Sequence, residues 1–169
     1  EDRGTLYNHG TAEGVDEVRK YFYALFSHWK NLRMVDMGNI IKGNSLQDTY
    51  FAIKNVVSAL LTKDVLPILI GGSQDLTFAN YLAYEEIGKI VNITAIDSVY
   101  DLGQDNQEIN ARSWLSQIIL HQPNFLFNFT NIGYQSYFVN QESVKLMKDL
   151  YFDVHRLGVV RANLEEAEP

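Results

Sequence analysis

Two short stretches, Gly71-Gly72-Ser73-Gln74-Asp75 and Asp97-Ser98-Val99-Tyr100-Asp101, place polar and carboxylate side chains directly after apolar runs. Carboxylates at the two ends of an acidic loop can hold a hydrated Mg2+ or Ca2+, weakly when no other ligand joins them. With no cation or donor between them, two converging carboxylates repel and the pKa of one rises. Asp97 and Asp101 are therefore the candidate site carboxylates. Asp75 reads as the N-cap of a following helix rather than as a ligand, and Asp36 as a cap or turn residue rather than a site carboxylate. The four histidines add little. His28 lies beside an apolar helical stripe and reads as a packing or surface residue. His155 alternates with apolar neighbours, which suggests a buried, hydrogen-bonded ring. His121 precedes Gln122-Pro123 near a helix C-terminus, where an imidazolium is favoured, and nothing in the spacing of His9 makes it a substitute ligand. Gly71-Gly72 ahead of a helix could suggest phosphate binding, but no Lys-Ser/Thr pair follows and no Gly-x-Gly-x-x-Gly is present, so nucleotide binding is disfavoured.

The elements that carry these residues are legible as α/β alternation. Val65 to Ile70 is an apolar run stopped by Gly71-Gly72, and Ile90 to Ile96 ends in Asp97. Both read as buried parallel strands, and in open α/β sheets ligands bind outside the carboxyl ends of such strands. Strands are also expected at Leu32 to Val35, Phe125 to Phe129 and Phe152 to Leu157. Helices are expected over Val15 to Trp29, Asp48 to Thr62, the segment from Ser73 or Asp75 to Ile87, Trp114 to Ile119 after an Asn110 cap, and Gln141 to Leu150. In the second of these, Phe51, Ile53, Val56, Val57, Leu60 and Leu61 are expected on one face, with Leu46 stapling the start. Leu102 to Asn110 reads as the longest ordered loop, at the rim of the site.

A chain of 169 residues with 46% apolar composition suits one domain with a real core. The net charge of −7 opposes a phosphate-binding footprint, so nucleic acid is not an expected partner. No apolar run approaches the roughly 18 residues of a membrane span. The absence of cysteine excludes disulfides, thiolate metal sites and a cysteine nucleophile.

The two acidic and glycine-rich stretches resemble the ureohydrolase family (arginase, agmatinase, formimidoylglutamase), whose metal motifs are Gly-Gly-Asp-His-Ser/Thr and Asp-x-His-x-Asp. Glu1-Asp2-Arg3-Gly4 with Asn8 and Gly10, Asp36-Met37-Gly38-Asn39 and Asn131-Ile132-Gly133-Tyr134-Gln135 extend the resemblance, which is nearest the formimidoylglutamase-like branch. It implies a three-layer α/β/α fold with a mainly parallel sheet, incomplete in this chain: a single domain, 1–169, with the family's first strand and last metal motif outside it. It implies a cytoplasmic protein, with a homo-oligomer or a protein partner open. It also implies a dinuclear Mn2+ centre in the family, whose metal-activated water attacks a guanidinium or formimidoyl carbon. Here Gln74 and Val99 fall on the two histidine positions, and the first motif's aspartate has become Ser73. The resemblance leaves Asp97 and Asp101 as vestigial, weak metal residues, with no cofactor and no catalytic residue. The expected function is a non-catalytic binding or scaffolding module. The alternative is an active amidine hydrolase of formimidoylglutamase type with a remodelled or single-metal Mn2+ site. In the sheet, direct pairing of Leu66–Ile70 with Val91–Ile96 is expected, because an unpaired buried edge leaves backbone groups without partners; the alternative is that a second chain or residues outside this stretch fill the gap.

Overall fold

The computed structural model describes residues 1–103 and 108–167. Three parallel strands, β1 (Val91–Ile96), β2 (Leu126–Tyr134) and β3 (Asp153–Arg156), form a sheet in that order. Parallel neighbours need a crossover, and helices supply both: α4 (Trp114–Leu120) links β1 to β2, and α5 (Gln141–Asp149) links β2 to β3. Ahead of the sheet lie α1 (Gly14–Phe22), α2 (Leu46–Leu61) and α3 (Leu76–Glu86); after it, α6 (Leu157–Ala167) packs back on β2 and β3.

The core has two parts. Phe129 from β2, Trp114, Leu115 and Ile118 from α4, Tyr81 from α3 and Met147 from α5 are buried together against the inner face of the sheet. Phe129 packs edge-on against two of its aromatic neighbours: Trp114 and Phe129 ring centroids lie 6.1 Å apart, and Phe129 and Phe152 5.8 Å. In the second part, Tyr50, Ile53 and Val57 of α2 pack on Leu76, Ala79 and Ala83 of α3. Alanine at two positions one turn apart lets these helices approach closely. The start of α2 is fixed by a capping box, with Ser45 Oγ accepting from the Asp48 N–H at 3.1 Å and Asp48 Oδ2 accepting from the Ser45 N–H at 2.8 Å.

Several expectations fail. Leu32–Val35 and Val65–Ile70 are not strands, and the second does not pair with β1, so direct closure of the sheet is wrong. A strand forms only where a neighbour accepts its hydrogen bonds, and the described residues place none beside either run. Leu66 and Ile68 are 80% and 76% exposed. The first helix stops at Phe22, and its apolar stripe packs on nothing: α1 has no buried residue, and Phe26 and Trp29 beyond it are exposed. α2 starts two residues early, so Leu46 lies inside it rather than before the cap, and its buried stripe is Tyr50, Ile53 and Val57 while Phe51 faces out. The aromatic strand runs on to Tyr134, five residues past Phe129. Part of the Leu102–Asn110 loop, 104–107, lies outside the described residues.

Candidate functional site

The two singled-out stretches do converge. Gly72, Ser73 and Gln74 before α3, Asp97 and Ser98 after β1, and Arg112 before α4 line one cavity of about 330 Å3, closed on another side by Thr5 to Asn8. Backbone contacts position them. The Asp97 N–H donates to the Ile132 carbonyl at 3.1 Å, and the Gln135 N–H donates to the Ser98 carbonyl at 2.9 Å, which ties the acidic loop to the end of β2. Asn131, fully buried on β2, donates its Nδ2 to the Val99 carbonyl at 2.9 Å. Gly133 has φ of +103°, a conformation that suits glycine, and its missing side chain leaves it beside the Asp97 carbonyl.

The carboxylates do different work. Asp97 Oδ1 turns back on its own loop and accepts the Val99 N–H at 3.2 Å. Asp101 is 5% exposed and sits at φ of +51°. Its Oδ2 accepts the Trp114 indole N–H at 3.0 Å, and its Oδ1 faces the Arg112 guanidinium at 3.7 Å. Burial pushes its pKa up to about 6; the Trp114 hydrogen bond and Arg112 pull it down, and the nearby Asp97 charge pushes it up. Because the folded-state value lies above the ordinary one of 3.8, the native state holds this proton more tightly. Its stabilising share is therefore complete below about pH 4 and is lost as pH rises through about 6. At about 1.4 kcal/mol per unit, the loss is about 3 kcal/mol at most. Urea denaturation of Asp101→Asn, whose amide oxygen still accepts from Trp114, should show stability falling less between these pH values than in the wild type.

Asp75 occupies the N-cap position of α3 but its side chain does not cap the helix. Its backbone is already helical, and Ser73 does not cap either. A fully buried Asp75 Oδ2 instead accepts the Tyr50 hydroxyl of α2, and its carboxyl group lies against Gly4, where any side chain would collide with it. Tyr50 is pushed well above the ordinary tyrosine range by burial and by this carboxylate. Asp36 lies apart from the cavity as a turn and ion-pair residue. It accepts from Arg19 Nε at 2.7 Å, from the Gly38 N–H at 2.7 Å and from the Tyr23 hydroxyl, and Arg19 holds it well below the usual carboxylate range. Asn110 does not cap α4; its Oδ1 accepts the Arg112 N–H at 2.8 Å, which fixes the residue that delivers the guanidinium. Of the histidines, His9, His28 and His155 are exposed, the last against expectation because its side of β3 is uncovered. His121 pairs with Glu85 at 2.6 Å.

Arg112, which lines the cavity, and Tyr50 and Trp114, which hold the carboxyl groups of Asp75 and Asp101, are the residues that sequence reasoning missed. Each reaches the site from a distant element, and none carries a local spacing signal. Among the described residues, no group of three or more His, Cys, Asp or Glu is arranged to hold a metal ion.

The Arginase family model matches residues 2–166. The chain belongs to the arginase family. A formimidoylglutamase of Lysinibacillus sphaericus (strain C3-41) is 27% identical to it over 150 residues, which cover 83% of this chain and 46% of that protein. This arginase-family chain thus spans about half the length of the curated relatives it matches. Its fold is that of a Trypanosoma cruzi formiminoglutamase solved with Mn2+2, at a TM-score of 0.81 and 20% identity, covering 98% of this chain and 62% of that one. The fold is shared too by a T. brucei arginase-like protein solved as a quadruple mutant in which three serines became aspartate and an arginine became histidine. That match has a TM-score of 0.58 at 15% identity, covering 76% of this chain and 40% of that one.

Proposed function

We propose that this arginase-family chain has given up the dinuclear centre and acts as a non-catalytic binding or scaffolding module of formimidoylglutamase-like descent. The observation that carries the reading is the donor set of the cavity. A pair of divalent ions needs bridging carboxylates with imidazole nitrogens completing each shell. Where the resemblance places two histidines, Gln74 offers a weak neutral oxygen and Val99 offers none. Asp101 is committed to Trp114 and Arg112. The residues present do not fit two Mn2+ ions. The cavity, left open and polar, is the part fit to bind something. With a net charge of −7, its partner is a small molecule, a protein or a second copy rather than nucleic acid.

The active-hydrolase alternative draws on the T. cruzi relative solved with Mn2+2. Elemental analysis separates the two. Protein purified with Mn2+ supplied and then desalted is expected to hold well under one manganese per chain. A content near two would overturn the proposal in favour of a remodelled hydrolase.

A further inference from the structure

Asp97 lines the cavity, the buried Asp101 lies near enough to feel its charge, and the fold supplies the pair with a positive charge from within. Residues 110–114 lead into α4, and this short passage delivers both Arg112 and Trp114. The Asn110 side chain holds the Arg112 backbone N–H at 2.8 Å, and the Ser113 hydroxyl in turn holds the Asn110 N–H at 2.9 Å. From that anchored backbone the guanidinium lines the cavity with Asp97 and Gln74, and Nη1 faces Asp101 Oδ1 at 3.7 Å. Asp101 Oδ1 has no hydrogen-bond partner among the described residues, and Arg112 is the cation beside it. Arg112 is itself half-exposed, so its charge is available without the cost of burying it.

We propose that Arg112 is the resident counter-cation of the Asp97 and Asp101 pair, and that its tethered charge excludes divalent metal from the cavity. This rests on the metal-free reading above and adds its cause. Loss of the histidines weakens a metal site, whereas a fixed guanidinium opposes one. An incoming divalent ion must either displace Arg112 from Asp101 or sit close to a like charge. Trp114 completes the arrangement by occupying the other oxygen of Asp101.

The test is Mn2+ titration followed by electron paramagnetic resonance, in which the signal of the aquo ion disappears on binding. It uses the wild type, Arg112→Ala and Arg112→Lys, with near-ultraviolet circular dichroism of the buried Trp114 to establish that each is folded. Arg112→Ala is expected to bind Mn2+ at least about tenfold more tightly than the wild type. Mn2+ should then selectively broaden the amide resonances of Asp97 and Asp101. Arg112→Lys, which keeps the charge, should bind no better than the wild type. Should Arg112→Ala not fold, Arg112→Gln keeps most of the side chain without its charge and carries the same expectation. Equal binding by the wild type and the uncharged variant overturns the role of Arg112, as does Arg112→Lys binding as tightly as Arg112→Ala. The two ideas fail separately. Two manganese ions in the wild type overturn the metal-free reading, while no binding in any variant overturns the role of Arg112 alone.

Discussion

Supplied with Mn2+ and with formimidoylglutamate, arginine or agmatine, the chain is expected to release formamide or urea no faster than buffer does. Amidine hydrolysis at neutral pH needs a strong nucleophile, and metal ions provide it by lowering the pKa of a bound water from about 15.7 towards about 7. The cavity offers no substitute. Asp97 is turned onto its own loop, Asp101 is buried against Trp114, and among the described residues no histidine lines the space. The effect is therefore a loss of many orders of magnitude rather than a reduced rate. Product assays with and without chelator check it, and metal-dependent turnover above the control would refute it. The double variant Gln74→His, Val99→His is expected to remain without turnover as well. It returns two nitrogen donors but leaves Asp101 engaged by Trp114 and Arg112, and the groups that orient ligands matter nearly as much as the ligands.

The second large effect concerns stability. Phe127 and Phe129 are two residues apart in β2, yet Phe127 is 77% exposed and Phe129 is fully buried. Phe129→Ala should cost about 3–5 kcal/mol, because it removes a ring packed between Trp114 and Phe152 and leaves a cavity. Phe127→Ala should stay within about 0.5 kcal/mol. Urea midpoints of the two variants decide it, and similar losses for both would mean that the exposed side of the sheet is covered in solution.

These two residues also show what a sequence gives away. Alternating aromatics identify a strand, because the side-chain period of two is local. The third strand, the α4 and α5 crossovers and the parallel order are legible for the same reason: periodicity and breakers act over a few residues. Val65–Ile70 defeats that logic. Its composition is that of a buried strand, but strand formation depends on a neighbour, and no local pattern reveals whether the neighbour is there. The site divides likewise. The positions of Gln74, Asp97, Val99 and Asp101 follow from spacing within two short stretches. What Asp75 and Asp101 do does not, because each is decided by a residue from another element. Tyr50 draws Asp75 away from capping α3, and Trp114 draws Asp101 into the core.

The division of the core into two clusters bears on how the protein breathes. The two sets of buried side chains meet in α3, which gives Tyr81 to the sheet cluster and Leu76, Ala79 and Ala83 to the α2 cluster, while Phe78 packs against both. α2 contributes to one cluster alone, so it can open as its own cooperative unit, which native-state hydrogen exchange resolves as a distinct isotherm. The cavity takes Ser73 and Gln74 from the approach to α3 and Asp97 and Arg112 from the sheet side, so it lies on the seam. Opening of α2 uncovers α3, and movement of α3 would dismantle the cavity and withdraw Tyr81 from the sheet core. Any molecule that the cavity holds therefore works as a clasp, slowing amide exchange in α2 and α3 far from the atoms it touches.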